Sequence, residues 1–509
     1  MFHAAEMSFS GLPPRFVPLK KSCSRATVSS IAVFFQTLEN CMDNAAKANV
    51  MGTKSIGSLL LSFSIPAILG MVIVALNQII SSVYIGHGIG PLALAAMAVT
   101  FPVINLLIAF SQLIAVGCAA LCSIELGKKD MEKAHRMLGH SVLLEVIVSV
   151  AFSYAFWAVL DPMLIFFGAS GETLDYAREY MVPLLVTSPI VFVMIGLNFF
   201  TRASGYPKTA MVTALMTTVG IVLFSPLFIY EWGWGMEGAA LAVVSGQLIS
   251  LTWLIVHFLR PGTLVHFRRG IWKLAASYVK DIVAIGMAPF LVNFCACIVV
   301  IVINRALMEY GGDLAIGAFG IVNRLLMLFA LGLIGLGQGM QPIIGFNFGA
   351  RDKARVRKAL WYGMAAGTSI ALAGMLCFLL CPRFMVLLFT DHEPLVEITT
   401  RAMMLTGSMF IFVGPGIIIG TYFQAIGMAK LASLMSITRQ MICLVPALLI
   451  FPLFWGLDGV WWSLPFSDVM GFVVGGILLH MTLRAEDNDC KKGDPECTPP
   501  ADFFKPKPM

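Results

Sequence analysis

Two carboxylates lie inside long apolar runs of this chain, where an ionised side chain is costly. Asp468 lies within the run 460–482, and Glu145 lies within the run 139–160. A charge at the centre of a bilayer costs at least about 2.5 kcal/mol, so an acid at such depth pairs with a neighbour or serves a function. Either acid could carry a proton or ligate a cation, and either could instead be a structural carboxylate that is hydrogen-bonded to a neighbouring helix.

A basic side chain, Arg202, follows directly after the apolar run 178–200. Asn198 precedes it by four residues, so the two side chains share one face of a helix. An arginine near the end of a span can extend its head group to the membrane surface. Two interpretations of Arg202 therefore stay open, a membrane anchor and a binding group.

Uncharged polar side chains recur in the apolar runs, and each needs a hydrogen-bonding partner away from water. Gln338 and Gln341 lie near the end of one run, and Asn77 and Ser81 lie near the end of another. Such residues, gathered between helices, would line a polar cavity. The residues that we expect to line this cavity are Asn77, Gln78, Ser81, Asn198, Arg202, Asn304, Asn323, Gln338, Gln341 and Gln424.

Motifs for catalysis, ATP binding or metal binding are absent from the sequence. There is no P-loop lysine signature, no HExxH metal motif and no GxSxG nucleophile elbow. The eleven cysteines include Cys118 and Cys122, four residues apart within an apolar run, which is typical of small buried side chains. Cys490 and Cys497 have no histidine nearby to complete a metal site. We therefore expect no enzyme, no cofactor and no bound metal.

The composition is that of a membrane protein. The chain is 58% hydrophobic and 12% charged, whereas a soluble domain carries roughly a quarter charged residues. Apolar runs of about 20 residues suffice to cross a hydrocarbon core of roughly 30 Å as helices. Such runs fall at 61–84, 93–121, 139–160, 178–200, 209–229, 239–259, 283–307, 315–345, 358–380, 401–423, 432–454 and 460–482. We predict an all-α polytopic membrane protein with twelve transmembrane helices.

The twelve runs form two copies of six. Gly127 opens the segment G-K-K-D-M-E-K, and Gly349 opens the related segment G-A-R-D-K-A-R, 222 residues further on (349 − 127 = 222). G-Y-P-K at Gly205 and G-M-A-K at Gly427 have the same separation. Because six is an even number, both halves enter the membrane from the same side. The sequence therefore predicts two parallel repeats that are related by a two-fold axis along the membrane normal.

The repeats give a predicted division of the chain. Polar residues flank the apolar core at both ends, and we expect these ends to be disordered. Met51, just before the first repeat, could be the natural start of translation. The predicted parts are a cytoplasmic N-terminal extension (1–51), a first six-helix bundle (52–260), a cytoplasmic linker (261–280), a second six-helix bundle (281–484) and a cytoplasmic tail (485–509).

Lysines and arginines are concentrated in the loops on one side of the predicted membrane. They occur around 128–136 and 351–358, whereas the loops at 86–91 and 161–176 contain none, and Arg383 is the clear exception. Basic loops face the cytoplasm, so we expect both termini to be cytoplasmic in a multi-pass protein of the cell's inner membrane. The net charge of +6 fits attraction to anionic lipid, with no nucleic-acid partner. We expect a monomer in a lipid bilayer.

Several spaced motifs resemble one family of transporters. The run 335–350, G-L-G-Q-G-M-Q-P-I-I-G-F-N-F-G-A, follows G-I-V-N-R at 320–324, and Ser467-Asp468 follows Pro465. Together with the segments that end at Gly205 and Gly427, these motifs resemble the multidrug and toxic compound extrusion family over about 52–484. The resemblance is nearest to the bacterial branch that includes regulated multidrug efflux pumps.

The resemblance implies a fold and an activity. It implies a V-shaped pair of six-helix bundles that alternately open a central cavity to the two sides of the membrane. The implied activity is secondary antiport, in which organic cations or amphipathic drugs leave the cell in exchange for H⁺ or Na⁺. The cargo would be a small molecule, and the coupling ion would need a binding group in the membrane.

The sequence departs from this family at one position. Many relatives carry an aspartate in the first span, but the corresponding stretch at 80–86 is I-S-S-V-Y-I-G, with Ser81 at the carboxylate position. A serine cannot titrate in the physiological range, so coupling would have to move to Asp468, to Glu145 or to neutral oxygen ligands for Na⁺. Few fixed negative charges also weaken a strict preference for cations. Walls rich in Met, Phe and Trp could still bind apolar compounds by shape and cation–π contact.

Other classes of protein stay open. A flippase for a lipid-linked sugar or polysaccharide has a related architecture, and its pyrophosphate cargo would favour a cationic cavity, for which Arg202 and Arg324 leave room. The chain lacks the extra spans and the cluster of arginines expected there. A receptor or integral enzyme would need motifs that the chain lacks. A sugar carrier of the other common six-plus-six plan would carry a G-x-x-x-D-R/K-x-G-R/K-like loop, which 127–131 does not supply.

Overall fold

A computed structural model of the chain describes residues 48–491. Within this range the protein is helical and contains no strand. Most of the predicted N-terminal extension and of the predicted tail, with Cys497, lies outside the described residues. The predicted division of the chain at the two ends therefore stays a prediction.

The first half begins with a short helix and continues through long apolar ones. Its helices are α1 (Ala48–Thr53), α2 (Ile56–Gly88), α3 (Pro91–Gly127), α4 (Met131–Ala158), α5 (Leu160–Phe166), α6 (Gly171–Val186), α7 (Ser188–Ala203), α8 (Pro207–Pro226) and α9 (Gly235–Leu259). The end of α8 continues as a π-helical turn over Leu227–Glu231. Helices α6 and α7 meet at a bend of 60° and together are long and apolar enough to form one span.

The second half repeats this order. Its helices are α10 (Ala276–Gly349), α11 (Lys353–Leu380), α12 (Pro382–Leu387), α13 (Glu393–Gly407), α14 (Val413–Ala425), α15 (Ala429–Ile437), α16 (Val445–Trp455) and α17 (Leu457–Lys491). A 3₁₀ turn over Phe410–Phe412 precedes α14, and the bend between α13 and this second segment is 46°. A π-helical stretch over Thr438–Leu444 joins α15 to α16.

The number of spans agrees with the prediction from sequence. In residues 48–491, nine helices are long and apolar enough to cross a membrane, and the count is eleven when each bent pair forms one span. Helix α10, at 74 residues, is two helices, because Gly312 has φ +63° and ψ −162°, outside the helical region. Its two arms, 276–311 and 313–349, bring the total to the twelve predicted helices, and the all-α fold class is confirmed.

The repeat is visible in unusual backbone conformations. Lys129 and Arg351, 222 residues apart, have φ of +63° and +60°, and they are the non-glycine residues with positive φ in the described chain. The next residues, Asp130 and Asp352, cap α4 and α11, and each side chain accepts a hydrogen bond of 3.0 Å from a backbone N–H three residues on. Hydrogen bonds from the backbone and side chain of Lys133 hold the pKa of the Asp130 carboxyl below its ordinary value.

Glycines allow the two halves to approach backbone to backbone at one end. A Cβ added to Gly127 on α3 would collide with the carbonyl of Phe346 on α10, and a Cβ added to Gly349 would collide with the carbonyl of Ile124. Each glycine is the repeat counterpart of the other, as is each carbonyl. The contact is thus its own image under the predicted two-fold axis, which passes between α3 and the second arm of α10.

The segment between α9 and α10 packs against the first half. It contains no helix, but Val265 and Ile271 are buried in it. The backbone N–H of Leu264 donates to the hydroxyl of Tyr206 at 3.0 Å. The backbone N–H of Ala275 donates to the imidazole Nε2 of His140, also at 3.0 Å. These bonds attach the connection to the loop ends of α4 and α8.

Candidate functional site

Arg202 connects the two halves of the molecule. It lies in the last turn of α7, and its guanidinium donates to the side-chain oxygen of Gln338 on the second arm of α10. The same group donates to the side-chain oxygen of Asn198, and it lies over the ring of Phe199, 5.2 Å from the centroid. Sequence reasoning predicted all three polar residues, and the structure brings them into one hydrogen-bonded group.

Asn198 is positioned by the neighbouring helix α8. Its amide nitrogen donates to the backbone carbonyl of Ala210 at 3.0 Å and to the hydroxyl of Thr213. Since the amide hydrogens are used on that side, the amide oxygen is left to accept from Arg202. The spacing of four residues places both side chains on one face of α7. Asn198, held by α8, therefore orients the guanidinium of Arg202 toward the second half.

At the repeat counterpart of this link, only one of the two residues is polar. Gln424 occupies the position of Arg202 in the second half, and Val116 occupies the position of Gln338 in the first. Val116 is buried and cannot accept a hydrogen bond from Gln424. The charged connection between halves therefore exists on one side of the two-fold axis only.

Glu145 lies buried within the first half. It is 0% exposed on α4, where its Oε2 accepts a hydrogen bond of 3.3 Å from the hydroxyl of Ser111 on α3. Its Oε1 is buried without a hydrogen-bond partner among the described residues. Helix α7 closes the site with Gly196, where a Cβ would lie 2.8 Å from Oε1.

The second half fills the same place with apolar groups. Gly367 stands in the position of Glu145, Leu333 in that of Ser111, and Ile418 in that of Gly196. A Cβ on Gly367 would lie 3.0 Å from the side chain of Ile418. In the first half the large side chain, Glu145, lies on α4 and the glycine on α7, whereas in the second half the glycine lies on α11 and the large side chain, Ile418, on α14. The space between the two helices is therefore filled in both halves, but by a polar group only in the first.

Asp468, the other candidate acid, has a charged partner. The Nε of Arg439 donates to its Oδ1 at 2.7 Å, and the carboxylate side chain is 12% exposed against 43% for the guanidinium. Arg439 lies in the π-helical stretch before α16, and sequence reasoning missed it. Its signal was available, because an arginine within the apolar run 432–454 needs an acid nearby.

The remaining predicted cavity residues are distributed along three helices. Asn77 and Gln341 each have a buried side-chain atom without a hydrogen-bond partner in the described chain. Gln78 and Asn323 are exposed. The predicted residues outside the Arg202 group lie on α2 (Asn77, Gln78, Ser81), on α10 (Asn304, Asn323, Gln341) and on α14 (Gln424). No hydrogen bond found within residues 48–491 joins them to that group, so their common role as cavity lining stays a prediction.

A second polar link between the halves was missed. The side-chain nitrogen of Asn293 on α10 donates to the side-chain oxygen of Gln112 on α3 at 3.2 Å. The rings of Phe110 and Phe290 lie beside it, with centroids 5.0 Å apart. The counterpart of Gln112 is Ile334 at a separation of 222, and that of Asn293 is Gly70 at the separation of 223 that also relates Pro66 to Pro289. No matched pattern therefore marked the positions. Single polar residues within apolar runs were the available signal.

A cavity of about 480 Å³ lies in the second half, lined mainly by residues of α16 and α17. Phe451, Trp455 and Trp462 are among its aromatic lining residues, and Asp458 also lines it. Asp458 is paired with Arg401. None of the ten predicted cavity residues lines this space.

Comparison with protein families identifies both halves of the chain. The family model described as MatE matches residues 66–227 and 284–449. The multidrug export protein MepA of Staphylococcus haemolyticus (strain JCSC1435) is 27% identical over 417 residues, which are 82% of this chain and 91% of that protein. MepA of Staphylococcus aureus (strain MSSA476) is 26% identical over 430 residues, which are 83% of this chain and 93% of that protein.

Solved structures share the fold. A crystal structure of MATE in the bent conformation has a TM-score of 0.83 at 23% identity, and the match covers 88% of this chain and 100% of that one. A structure of the MATE multidrug transporter DinF-BH has a TM-score of 0.79 at 30% identity, with 84% of this chain and 96% of that one covered. These likenesses agree with the two-repeat architecture that the residues predict.

Proposed function

Because this chain belongs to the MatE family, we propose that it is a secondary antiporter that exports organic cations or amphipathic drugs in exchange for H⁺ or Na⁺. The similarity to multidrug export proteins extends over more than four fifths of the chain, which supports drug export by the whole molecule. The observation that carries the proposal is the link between Arg202 and Gln338. A carrier that works by moving two halves needs polar contacts between them that can form and break.

The position of the contact between the halves supports alternating access. Backbone contact through Gly127 and Gly349 closes one end of the interface, whereas Gln78 on α2 and Asn323 on α10 are exposed. We propose that the closed end is the cytoplasmic one, as the basic loops indicate. Cargo would then leave from the open end, and the opposite state would separate α3 from α10 in the cell's inner membrane.

The charge balance and the composition of the chain favour amphipathic cargo over strictly cationic cargo. Arg202 contributes positive charge, and Asp468 is neutralised by Arg439. The chain contains 37 phenylalanines and 30 methionines, side chains that bind planar or flexible apolar molecules by shape and polarisability. We expect aromatic dyes with a delocalised charge to be exported, and neutral amphipathic compounds as well.

The coupling ion needs a group other than the first-span acid of many relatives. Ser81, at that position, is buried on α2 and carries no charge. The candidates for H⁺ or Na⁺ coupling remain Asp468, Glu145 and neutral oxygen ligands. The two acids differ in their surroundings: Asp468 has a cationic partner, and Glu145 has none among the described residues.

Expression in a bacterium that lacks its own efflux pumps tests the proposal. We expect higher tolerance to ethidium-like dyes than in cells with an empty vector, and lower dye accumulation that rises when the H⁺ or the Na⁺ gradient is dissipated separately. Unchanged tolerance across a broad panel of cationic and neutral amphipaths would contradict drug export. Movement of a lipid-linked sugar without any effect on dyes would favour the flippase alternative instead.

A further inference from the structure

Among residues 48–491, the surroundings of Glu145 contain no cation to balance an ionised carboxylate. Helix α3 contributes the hydroxyl of Ser111 and the thiol of Cys118, and helix α7 contributes the backbone at Gly196. On its own helix, His140 is already bonded to the carbonyl of Arg136 and to the backbone N–H of Ala275. Arg202, the cation of α7, donates to Gln338 and Asn198.

A carboxylate in such a place is stable only when it is neutral. Removing an ionised group from water without a partner charge is so unfavourable that the group takes up a proton instead. Asp468 shows the alternative, since Arg439 bonds to it directly at 2.7 Å. Two acids at membrane depth thus differ in kind, one held as an ion pair and one held without any counter-ion in the described chain.

We propose that Glu145 carries the coupling proton and holds it in the conformation described here. The inference depends on the proposed antiport function. The proton lies on Oε1, the oxygen that receives no hydrogen bond, while Oε2 accepts from Ser111. A metal ion in place of the proton would need several oxygen ligands around it. The close approach of Gly196 to Oε1 leaves that side of the carboxyl group without such space.

One turn of α3 contacts both Glu145 and the second half, so a change at the acid can affect the interface between the halves. Ser111 faces the acid, while its neighbour Gln112 bonds to Asn293 of the second half at 3.2 Å. Leu113, the next residue, has its carbonyl against Gly286 on α10. Loss of the proton would leave a negative charge on Glu145, and this charge would draw water between α3 and α4. Hydration there would shift the turn of α3 whose residues Gln112 and Leu113 contact α10. Deprotonation would therefore favour separation of the halves.

Infrared difference spectroscopy on the purified full chain in lipid nanodiscs tests the proposal. At neutral pH we expect a C=O stretching band of a protonated carboxyl group in the native protein and in Asp468→Asn. We expect loss of this band in Glu145→Gln and a frequency shift in Ser111→Ala, which removes the hydrogen bond to Oε2. An unchanged spectrum in Glu145→Gln, in protein that still unfolds at the native temperature, would overturn the assignment. Loss of the native band when Na⁺ replaces K⁺ at constant pH would overturn it in favour of Na⁺ binding.

A transport assay separates failure of this inference from failure of the antiport function. In proteoliposomes, we expect Glu145→Gln to lose dye movement driven by a pH gradient but to keep dye-for-dye exchange, and Glu145→Asp to restore part of the gradient-driven rate. Full gradient-driven transport by Glu145→Gln would overturn the inference while supporting antiport. If the native protein moves no dye under any gradient yet shows the band, the antiport proposal fails and the proton-binding assignment stands.

Discussion

The two halves of this protein are alike at their closest backbone contact and different where they are polar. Gly127 and Gly349 make matching contacts across the two-fold axis. Glu145, by contrast, has Gly367 as its counterpart, and Arg202 has Gln424. The comparison shows that the repeat fixes the close contact between α3 and α10, while the chemistry of a cargo or ion site is free to occur in one half only. The first half holds the unpaired acid and the charged link.

The largest effect is expected from breaking the symmetric contact. Gly127→Ala or Gly349→Ala would place a methyl group against a carbonyl of the other half, and overpacking of this kind costs about 1–3 kcal/mol. Thermal unfolding in nanodiscs should show a lower Tm for either substitution and similar losses for both. Gly420→Ala, where a Cβ meets nothing within 4 Å, is the control and should leave Tm unchanged. Unequal losses would contradict the symmetry of the contact.

The charged link gives an effect of similar size. Hydrogen bonds to charged groups contribute about 1.5–3 kcal/mol, so Arg202→Gln with Gln338→Val, which copies the other side, should shift the population of the closed state by roughly 10- to 100-fold. Distances between spin labels at the exposed positions Lys128 and Ala350 measure that population. Gln424→Leu, on the side that lacks the link, is the matched control and should change it little. An equal shift in Gln424→Leu and in the double variant would contradict a charged link on one side of the two-fold axis only.

A smaller effect is expected at Asp468. Asp468→Asn leaves Arg439 without its partner, but this guanidinium is 43% exposed, so the loss should be about 1 kcal/mol or less. Because we place the coupling proton on Glu145, dye efflux should continue with its ion dependence unaltered. The double substitution with Arg439→Gln should recover most of the lost stability. Loss of ion dependence in Asp468→Asn would move the coupling role to the second half.

An effect of similar size is expected from the helix caps. Asp130→Ala and Asp352→Ala each remove one N-cap hydrogen bond, at a cost of about 1 kcal/mol. The pKa of Asp130 is lowered from 3.8, so its cap contributes fully above that pH. The contribution is lost as the pH falls below 3.8 through the pKa of the folded state. Chemical unfolding at pH 7 should show similar losses for the two substitutions, and a loss at only one cap would break the comparison.

Much of the fold could be predicted from sequence because its signals are local. Length and hydropathy give each span, and a fixed separation of 222 residues between Gly127 and Gly349 gives the repeat. The direct junction of the two arms of α10 at Gly312, with no loop between them, was not apparent, because a glycine between two apolar runs also fits an ordinary loop. The bend between α6 and α7 was not predicted either, because its angle depends on how these helices pack against their neighbours.

The site could be predicted only in part. Asn198 and Arg202 were found together because four residues separate them on one helix, whereas Gln338 is 136 residues from Arg202 along the chain. Arg439 and Gln112 were missed because their partners are distant in sequence. Nothing local distinguishes Glu145 from Asp468. The difference between them lies in whether another helix supplies a cation, and only the packed structure carries that information.

We infer that the coupling chemistry belongs to the first half of a symmetric scaffold. Dye transport into or out of proteoliposomes under an imposed pH gradient tests this most directly, with the native protein, Glu145→Gln and Asp468→Asn measured side by side. We expect gradient-driven transport by the native protein and by Asp468→Asn, and a loss of at least about tenfold, equivalent to about 1.4 kcal/mol, in Glu145→Gln. Undiminished gradient-driven transport by Glu145→Gln, together with its loss in Asp468→Asn, would place the coupling chemistry in the second half instead.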